Sequence, residues 1–407
     1  MDLRDDAREL QPDLVHLRRE LHRLPEVGLD LPRTQETVLR ELDGLGMEIS
    51  TGSAATSVTA VLRGPATTAA RRTVLLRGDM DGLPVVEETG TDYAARNGAM
   101  HACGHDLHTT ALLGAARLLS RHRDHLAGDV VLMFQPGEEG FDGAGTMIEE
   151  GVLDAAGTRA EHAYALHVFS NRTPGGVFVS RPGTILAASH RLSVTVRGQG
   201  GHGSAPQHAR DPITAAAEMI TSLQTMVTRC FDVFDPVVVT VGVVRAGTRR
   251  NIIPDTAYFE ATVRCFSEAA AERLGELIPR VLDGVAAAHG VDVETELAGE
   301  YPVTVNDDRQ AAFAADVIRG LVGEDRFQEL PTPVSGSEDF SRVLQAVPGA
   351  FVGLGACPPD RDPGSAPMNH SPRAEFDDAV LGDAAAVYAA LAIERLTARP
   401  DDLETTA

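Results

Sequence analysis

Val130-Val131-Leu132-Met133-Phe134-Gln135-Pro136-Gly137-Glu138-Glu139 reads as a strand that runs out into a turn and two adjacent acids. Its apolar run lacks charge and alternation, as a strand covered on both faces does, and Pro136-Gly137 ends it. Working outward, Thr73 to Arg77 is a second such run, ending at Gly78-Asp79-Met80-Asp81, and Tyr164 to Phe169 is a third, carrying His167. Leu10 to Leu24 and Ala111 to Leu119 have helical periodicity. Strands alternating with helices predict an α/β layer architecture. The polar residues cluster where the strands end, which is where open α/β sheets hold their ligands.

From about Ala187 to Ala298 the pattern changes. It reads strand (His190–Arg197), helix (Pro212–Thr228), strand (Pro236–Arg245), strand (Ala257–Phe266), helix (Glu268–His289), strand (Val291–Leu297). That β-α-β-β-α-β order is the ferredoxin-like split unit. Asp211 before Pro212 is a strong helix start, with the acid as N-cap and proline at the first helical position. The sequence therefore predicts a catalytic α/β domain over 1–186 and 299–407, interrupted by an inserted domain over 187–298. The polar tail from about Arg399 is expected to fray.

The formal charge of −23 argues against nucleic acid or anionic membrane as partner. All 36 basic residues are Arg. No apolar run is long enough for a membrane span, and the charged N-terminus lacks a signal-peptide core. The cysteines, Cys103, Cys230, Cys265 and Cys357, are scattered, which predicts free thiols and a cytoplasmic setting.

His101-Ala102-Cys103-Gly104-His105-Asp106-Leu107-His108 packs a thiol, three imidazoles and a carboxylate into eight residues. Such donors suit a divalent transition metal. Cys103, His105, Glu139, His167 and His370 are too many for one tetrahedral ion with an open position, and they suit two ions sharing a bridge. Adjacent side chains diverge in a turn, so Glu139 can bind metal while Glu138 faces water. A carboxylate beside a metal-bound hydroxide is a natural general base, and the combination points to hydrolysis of an amide. His101 and His108 read as supporting groups. No Gly-x-Ser-x-Gly elbow accompanies Ser335 or Ser337, so a serine nucleophile is not expected.

On these residues the chain resembles the amidohydrolases that include hippurate hydrolase, bacterial N-acyl-amino-acid amidohydrolases and plant auxin-conjugate hydrolases, relatives of aminoacylase and the glutamate carboxypeptidases. The resemblance extends from Leu17-Arg18-Arg19-Glu20-Leu21-His22 to Asn369-His370-Ser371-Pro372. It includes Arg77 to Pro84, Met100 to Asp106, Gln135 to Gly140, Gly200-Gly201-His202-Gly203, Asn251-Ile252-Ile253-Pro254 and Gly336-Ser337-Glu338-Asp339-Phe340.

It implies that Cys103, His105, Glu139, His167 and His370 hold the metals, with Cys103 as bridge. Glu138 matches the general base, and Asp81 the acid that orients the site. His202 matches a residue that reaches a partner's active site and stabilises the oxyanion. Asn251 and Arg264 match holders of the substrate carboxylate, and Gly336 falls in the expected pocket lining. Asp79 stands where the aminoacylase branch has a metal-binding histidine. The implied protein is a homodimer with two divalent ions per subunit, Zn²⁺ or Mn²⁺ before Co²⁺ or Ni²⁺, in which the inserted domain serves as dimerisation and lid domain. Its substrates are N-acyl or N-aroyl amino acids. Dipeptidase or carboxypeptidase activity is the alternative, and a non-catalytic metal-bound binding protein is a third reading that an intact Glu138 argues against.

Overall fold

A computed structural model of the chain describes residues 2–65 and 71–398. The expected frayed tail from Arg399 lies outside the described residues. The chain divides into two compact units, one of Met1–Ile185, Val305–Thr332 and Asp339–Ala407, the other of Leu186–Thr304 and Pro333–Glu338. The sequence reading placed the insert at 187–298.

Within the first unit, the described residues form an eight-stranded sheet. Its order is Glu48–Thr51, Val58–Arg63, Asp129–Gln135, Thr73–Asp79, His162–Pro174, Gly349–Cys357, Phe178–Ser180, Phe327–Glu329. The strands Thr73–Asp79 and Asp129–Gln135 are buried throughout, as their unbroken apolar runs require. They pair in parallel with Asp79 opposite Gln135. The strand His162–Pro174 also runs parallel to Thr73–Asp79, with Ala165 opposite Arg77. His167 is therefore level with Asp79, and the turns carrying Asp81 and Glu138 leave the sheet at the same, C-terminal end of two adjacent inner strands.

The first helix, Leu3–His22, buries Leu3, Ala7, Leu14, Leu17 and Leu21 on one stripe, and Asp2 caps it by accepting from the Arg4 and Asp5 N–H groups. It begins seven residues before Leu10 because Asp5 and Asp6, which look like a polar lead-in, complement the positive helix end. The helix predicted from Ala111 begins at His105 and runs to Arg121. Its first fourteen residues, to Leu118, are buried except Arg117, so the metal-like segment is itself the first turn of a core helix. The helix Leu381–Thr397 is likewise buried nearly all round.

The second unit has strands Ala188–Arg197, Val238–Ala246, Thr256–Cys265 and Asp292–Tyr301, with helices Pro212–Cys230 and Glu268–His289. The sheet order is Val238–Ala246, Thr256–Cys265, Ala188–Arg197, Asp292–Tyr301, all antiparallel. Leu192, Val194, Phe259 and Val263 pack with Met219, Leu223, Leu274 and Ile278 of the helices into a separate core. The Asp211 side chain accepts from Ile213 N–H, as its place before Pro212 predicts.

Candidate metal centre

Gly104 decides how the metal-like segment turns. It has φ +85, and a Cβ there would lie 2.4 Å from Val168 Cγ2. Only glycine meets both demands. The left-handed step lets Cys103, before the helix, and His105, at its first residue, aim at the same space. Cys103 Sγ lies 3.4 Å from His167 Nε2. Cys103, His105 and His167 form one group whose donor atoms lie within 4.8 Å of one another, and Cys103, Glu139 and His370 form another. Cys103 belongs to both.

Asp81 sets the turn of adjacent acids. Its Oδ1 accepts from Glu138 N–H at 3.0 Å and its Oδ2 from Glu139 N–H at 3.1 Å, while Oδ1 also lies 3.3 Å from His105 Nδ1. The divergence expected of adjacent side chains is not what the turn gives: both carboxylates come back to His105, and the three donor atoms lie within 4.8 Å of one another. His105 Nε2 is 3.9 Å from Glu138 Oε2 and 3.9 Å from Glu139 Oε1. Glu138 is buried.

Across the site, His370 has φ +71, a conformation rare outside glycine. Its N–H donates to Ala102 O at 2.8 Å, and Asn369 Nδ2 donates to Cys103 O and Val168 O at 3.2 and 3.0 Å. These bonds dock the 369–370 turn on both the Cys103 and the His167 segments. His370 Nε2 then stands 3.1 Å from Glu139 Oε1.

Behind the donors lies a polar network that the apolar strand pattern conceals. Arg77 is fully buried and donates to Gln135 Oε1 (2.8 Å), Asp79 Oδ2 (2.7 Å) and Asp339 Oδ1 (3.0 Å). His108 Nδ1 lies 2.5 Å from Asp79 Oδ1, and His108 Nε2 accepts the Val168 N–H at 2.8 Å. A backbone N–H can only donate, so His108 carries its proton on Nδ1 and has no lone pair free for a metal. The signal for Arg77 was a charge inside an apolar strand. The signal for Asn369 was a side-chain amide beside a candidate ligand.

The charges are consistent with a cation site. Burial pushes Glu139 up, but His370, His105 and Cys103 prevail and hold it below the usual range. Burial likewise opposes Asp79, yet Arg77, His105 and His108 keep it ionised. Burial and the neighbouring His108 hold His167 well below an ordinary imidazole, which leaves it neutral with a lone pair to give. His370 is pushed up to about 10 by Cys103 and then Glu139. His105 Nε2 and Glu139 Oε1 are buried with no aligned hydrogen-bond partner among the described residues. Buried polar atoms seldom go unmatched, and here they are metal-donor types converging beside a shared thiol. The residues present fit divalent metal.

The other expected site residues belong to the second unit. His202 pairs with Ile252 across the short strands Gly201–His202 and Ile252–Ile253, and Gly203 N–H donates to Asn251 O at 2.9 Å. Ser204 N–H donates to His202 Nδ1 at 3.2 Å, which places the ring proton on the exposed Nε2. Arg264 donates to Ser189 Oγ in the neighbouring strand, and burial weighs against its charge while Glu300 supports it. Gly336 O accepts from Ala187 N–H at 2.9 Å.

Residues 75–394 match the model of Peptidase family M20/M25/M40. The chain is 38% identical over 388 residues to IAA-amino acid hydrolase ILR1-like 2 of Arabidopsis thaliana, covering 94% of this chain and 85% of that one. It is 34% identical to the hippurate hydrolase of Campylobacter jejuni (97% and 100% covered) and 34% identical to thermostable carboxypeptidase 1 of Saccharolobus solfataricus (96% and 98%). Among solved structures, the YXEP protein of Bacillus subtilis, described as a dinuclear metal binding peptidase, superposes with a TM-score of 0.81 at 30% identity over 96% of this chain and 99% of that one.

Proposed function

The chain belongs to Peptidase family M20/M25/M40, and from that premise we propose that it is a metal-dependent amidohydrolase that cleaves N-acyl amino acids to a carboxylic acid and a free amino acid. The observation that carries this reading is the shared thiol. Cys103 stands in two donor groups, one with His105 and His167 and one with Glu139 and His370, and Glu138, which groups with His105 and Glu139 instead, adds a further buried carboxylate beside them. A pure binding site has no use for that extra buried carboxylate. The names of the Arabidopsis and Campylobacter relatives, an IAA-amino acid hydrolase and a hippurate hydrolase, support an N-acyl amino acid as substrate.

Two divalent ions, which these five residues would hold with Cys103 common to both donor groups, would supply a Lewis acid for the scissile carbonyl and make water acidic enough to attack at neutral pH. Zn²⁺ suits the thiolate best, with Mn²⁺, Co²⁺ and Ni²⁺ as further choices. Glu138 takes the proton from the attacking water and returns it to the leaving amine. Asp81 holds Glu138 and Glu139 by their backbone N–H groups and His105 by its ring, so base and ligands keep one relative orientation. His202 would reach a partner subunit's active site and offer Nε2–H to the developing oxyanion there, and Asn251, Arg264 and the Gly336 segment would take the substrate's carboxylate end.

The second unit, with the ferredoxin-like strand order, serves in this reading as the lid and dimerisation domain. Among the described residues its edge strand Val238–Ala246 is unpaired on one side, and Phe234 (92% exposed), Val233 and Val244 are apolar and open. Among the described residues no helix is long and apolar enough to cross a membrane, and the four cysteines are free thiols, which is compatible with action in the cytoplasm.

The test is hydrolysis of hippurate, N-acetyl amino acids and dipeptides by protein loaded with each metal, beside Glu138→Gln. Loss of turnover in Glu138→Gln with metal content unchanged is the expected result. Full turnover in that variant, or faster cleavage of dipeptides than of N-acyl amino acids, would overturn the reading.

A further inference from the structure

Asn369, which is not among the proposed ligands, reaches three segments of the metal centre at once. Its Nδ2 donates to Val168 O at 3.0 Å and to Cys103 O at 3.2 Å, and it stands 3.7 Å from Cys103 Sγ. Its Oδ1 accepts from Ser170 N–H at 2.9 Å and lies 3.0 Å from Ser170 Oγ. The amide can point only one way. A backbone N–H only donates and a carbonyl only accepts, so the oxygen faces Ser170 and the nitrogen faces Cys103.

These contacts connect the two donor groups. Val168 follows His167, which groups with Cys103 and His105, while His370 follows Asn369 and groups with Cys103 and Glu139. The remaining contact is Cys103 itself, common to both. Asp81 makes a similar connection on the other side, between His105 and the Glu139 N–H. Asn369 does it at the thiol.

Two protons on Nδ2 meet three acceptors, so one proton is shared. Two of the acceptors are neutral carbonyls. The third becomes an anion when the thiol coordinates metal, since a coordinating thiol gives up its proton. Hydrogen bonds to an ionised acceptor are the shorter and stronger ones, so in a loaded site the amide is drawn towards sulfur. An N–H fixed in that place holds the sulfur in one position for both groups and withdraws electron density from it.

We propose that Asn369 is the positioning residue of the shared thiol. It sets the Cys103 sulfur for both metal positions, so its loss weakens both ions, although the ligand beside it in the sequence belongs to one group alone. The inference rests on the two-ion reading above and adds a residue to it.

The experiment titrates apo-protein with Co²⁺ and compares the parent, Asn369→Ala and Ser170→Ala. In Asn369→Ala both affinities should fall, each roughly 10–100-fold, as when a group that orients a metal ligand is lost. The thiolate-to-cobalt charge-transfer band should move to longer wavelength, because a sulfur without its hydrogen bond gives up electron density more readily. Ser170→Ala removes the hydroxyl contacts to Asn369 Oδ1 and Pro367 O and keeps the backbone bond to Asn369. It should cost stability and leave both affinities and the band at the parent's values. Weakening of one ion only would reduce Asn369 to a support for His370, and an unmoved band would remove the sulfur contact. Either result overturns the proposal while the metal centre stands. Should Asn369→Ala not fold, the parent loaded with an NMR-active cadmium isotope decides. The Asn369 side-chain N–H should then show scalar coupling to cadmium through the sulfur, and its absence overturns the proposal. A parent chain that binds fewer than two ions overturns the two-ion reading itself, and the proposal with it.

Discussion

His108 and Asp79 are fixed to each other in a single protonation arrangement. Asp79 Oδ1 accepts a hydrogen bond from His108 Nδ1–H at 2.5 Å, and His108 Nε2 accepts from the Val168 N–H, one residue beyond His167. The pair therefore ties the end of one central strand to the ligand-bearing stretch of the next. His108→Leu keeps the volume and removes both bonds. Stability should fall by about 1–3 kcal/mol, because a buried carboxylate and a buried N–H each lose a partner. Metal affinity should fall roughly 10–100-fold, as when groups that orient metal ligands are removed. Competition with a chelator measures the second effect. Unchanged affinity in a folded variant would mean that His108 only fills space.

Gly104→Ala should be among the most damaging single-methyl changes in the chain. The added carbon meets Val168 Cγ2 at 2.4 Å and the backbone stands at φ +85. Together, clash and conformation should cost about 2–4 kcal/mol. Val168→Ala in the same chain relieves the clash but not the φ, so it should restore part of the loss. Denaturant midpoints of the single and double variants decide this, and full restoration would show that the left-handed turn imposes no strain.

Cys103 and His370 should differ in how many ions they govern. Cys103 belongs to both donor groups and His370 to one. Cys103→Ala is expected to lower bound metal from two equivalents towards none at micromolar metal, and His370→Ala towards one. Metal analysis after dialysis gives the count. Two tightly held ions in Cys103→Ala would remove the bridging role.

His162 gives the protein an acid sensitivity unrelated to the metal donors. Burial first, then Arg395 and Arg72, pull its imidazole down to about 3, against about 6.5 in an unfolded chain. Between those values the unfolded chain holds a proton that the native state refuses. The contribution is undiminished above pH 6.5, declines as pH falls through that window, and is gone below about 3. His162→Gln should therefore flatten the dependence of the urea midpoint on pH between 6.5 and 4 and leave it parallel to the parent above 7. Equal slopes on the acid side would show that His162 is hydrated in the native state.

Cys103, His105 and Glu139 were legible as candidate donors because they sit in a glycine turn or just past a strand end, whereas His167 lies in the middle of the strand His162–Pro174 and His370 in a turn without glycine. Gln135 opposite Asp79 and Ala165 opposite Arg77 set the strand leading to Glu139 and the strand of His167 on either side of Thr73–Asp79. The elements around them were less legible. The helix at His105 started six residues earlier than its apolar periodicity suggested, since histidines, threonines and an aspartate in its first turns are buried by partners far away in the chain. The same holds for Arg18, whose guanidinium reaches buried Asp106 at 2.7 Å and Asp378 at 3.0 Å. A polar residue satisfied by a distant partner leaves no local trace of its burial, so periodicity reads it as surface. The strands Glu48–Thr51 and Val58–Arg63 went unread for the simpler reason that they are short and flanked by small polar residues.

The Asp81 carboxylate accepts from two consecutive backbone amides and faces a ligand imidazole. It acts as a common datum: Glu138, the proposed base, and Glu139, a proposed metal ligand, are both measured from the same two oxygen atoms. Neither glutamate can be repositioned without the other. Engineering a wider space for a bulkier acyl group by remodelling that turn would carry the base and the ligand along together, so useful variation in this scaffold has to come from surfaces that do not touch Asp81.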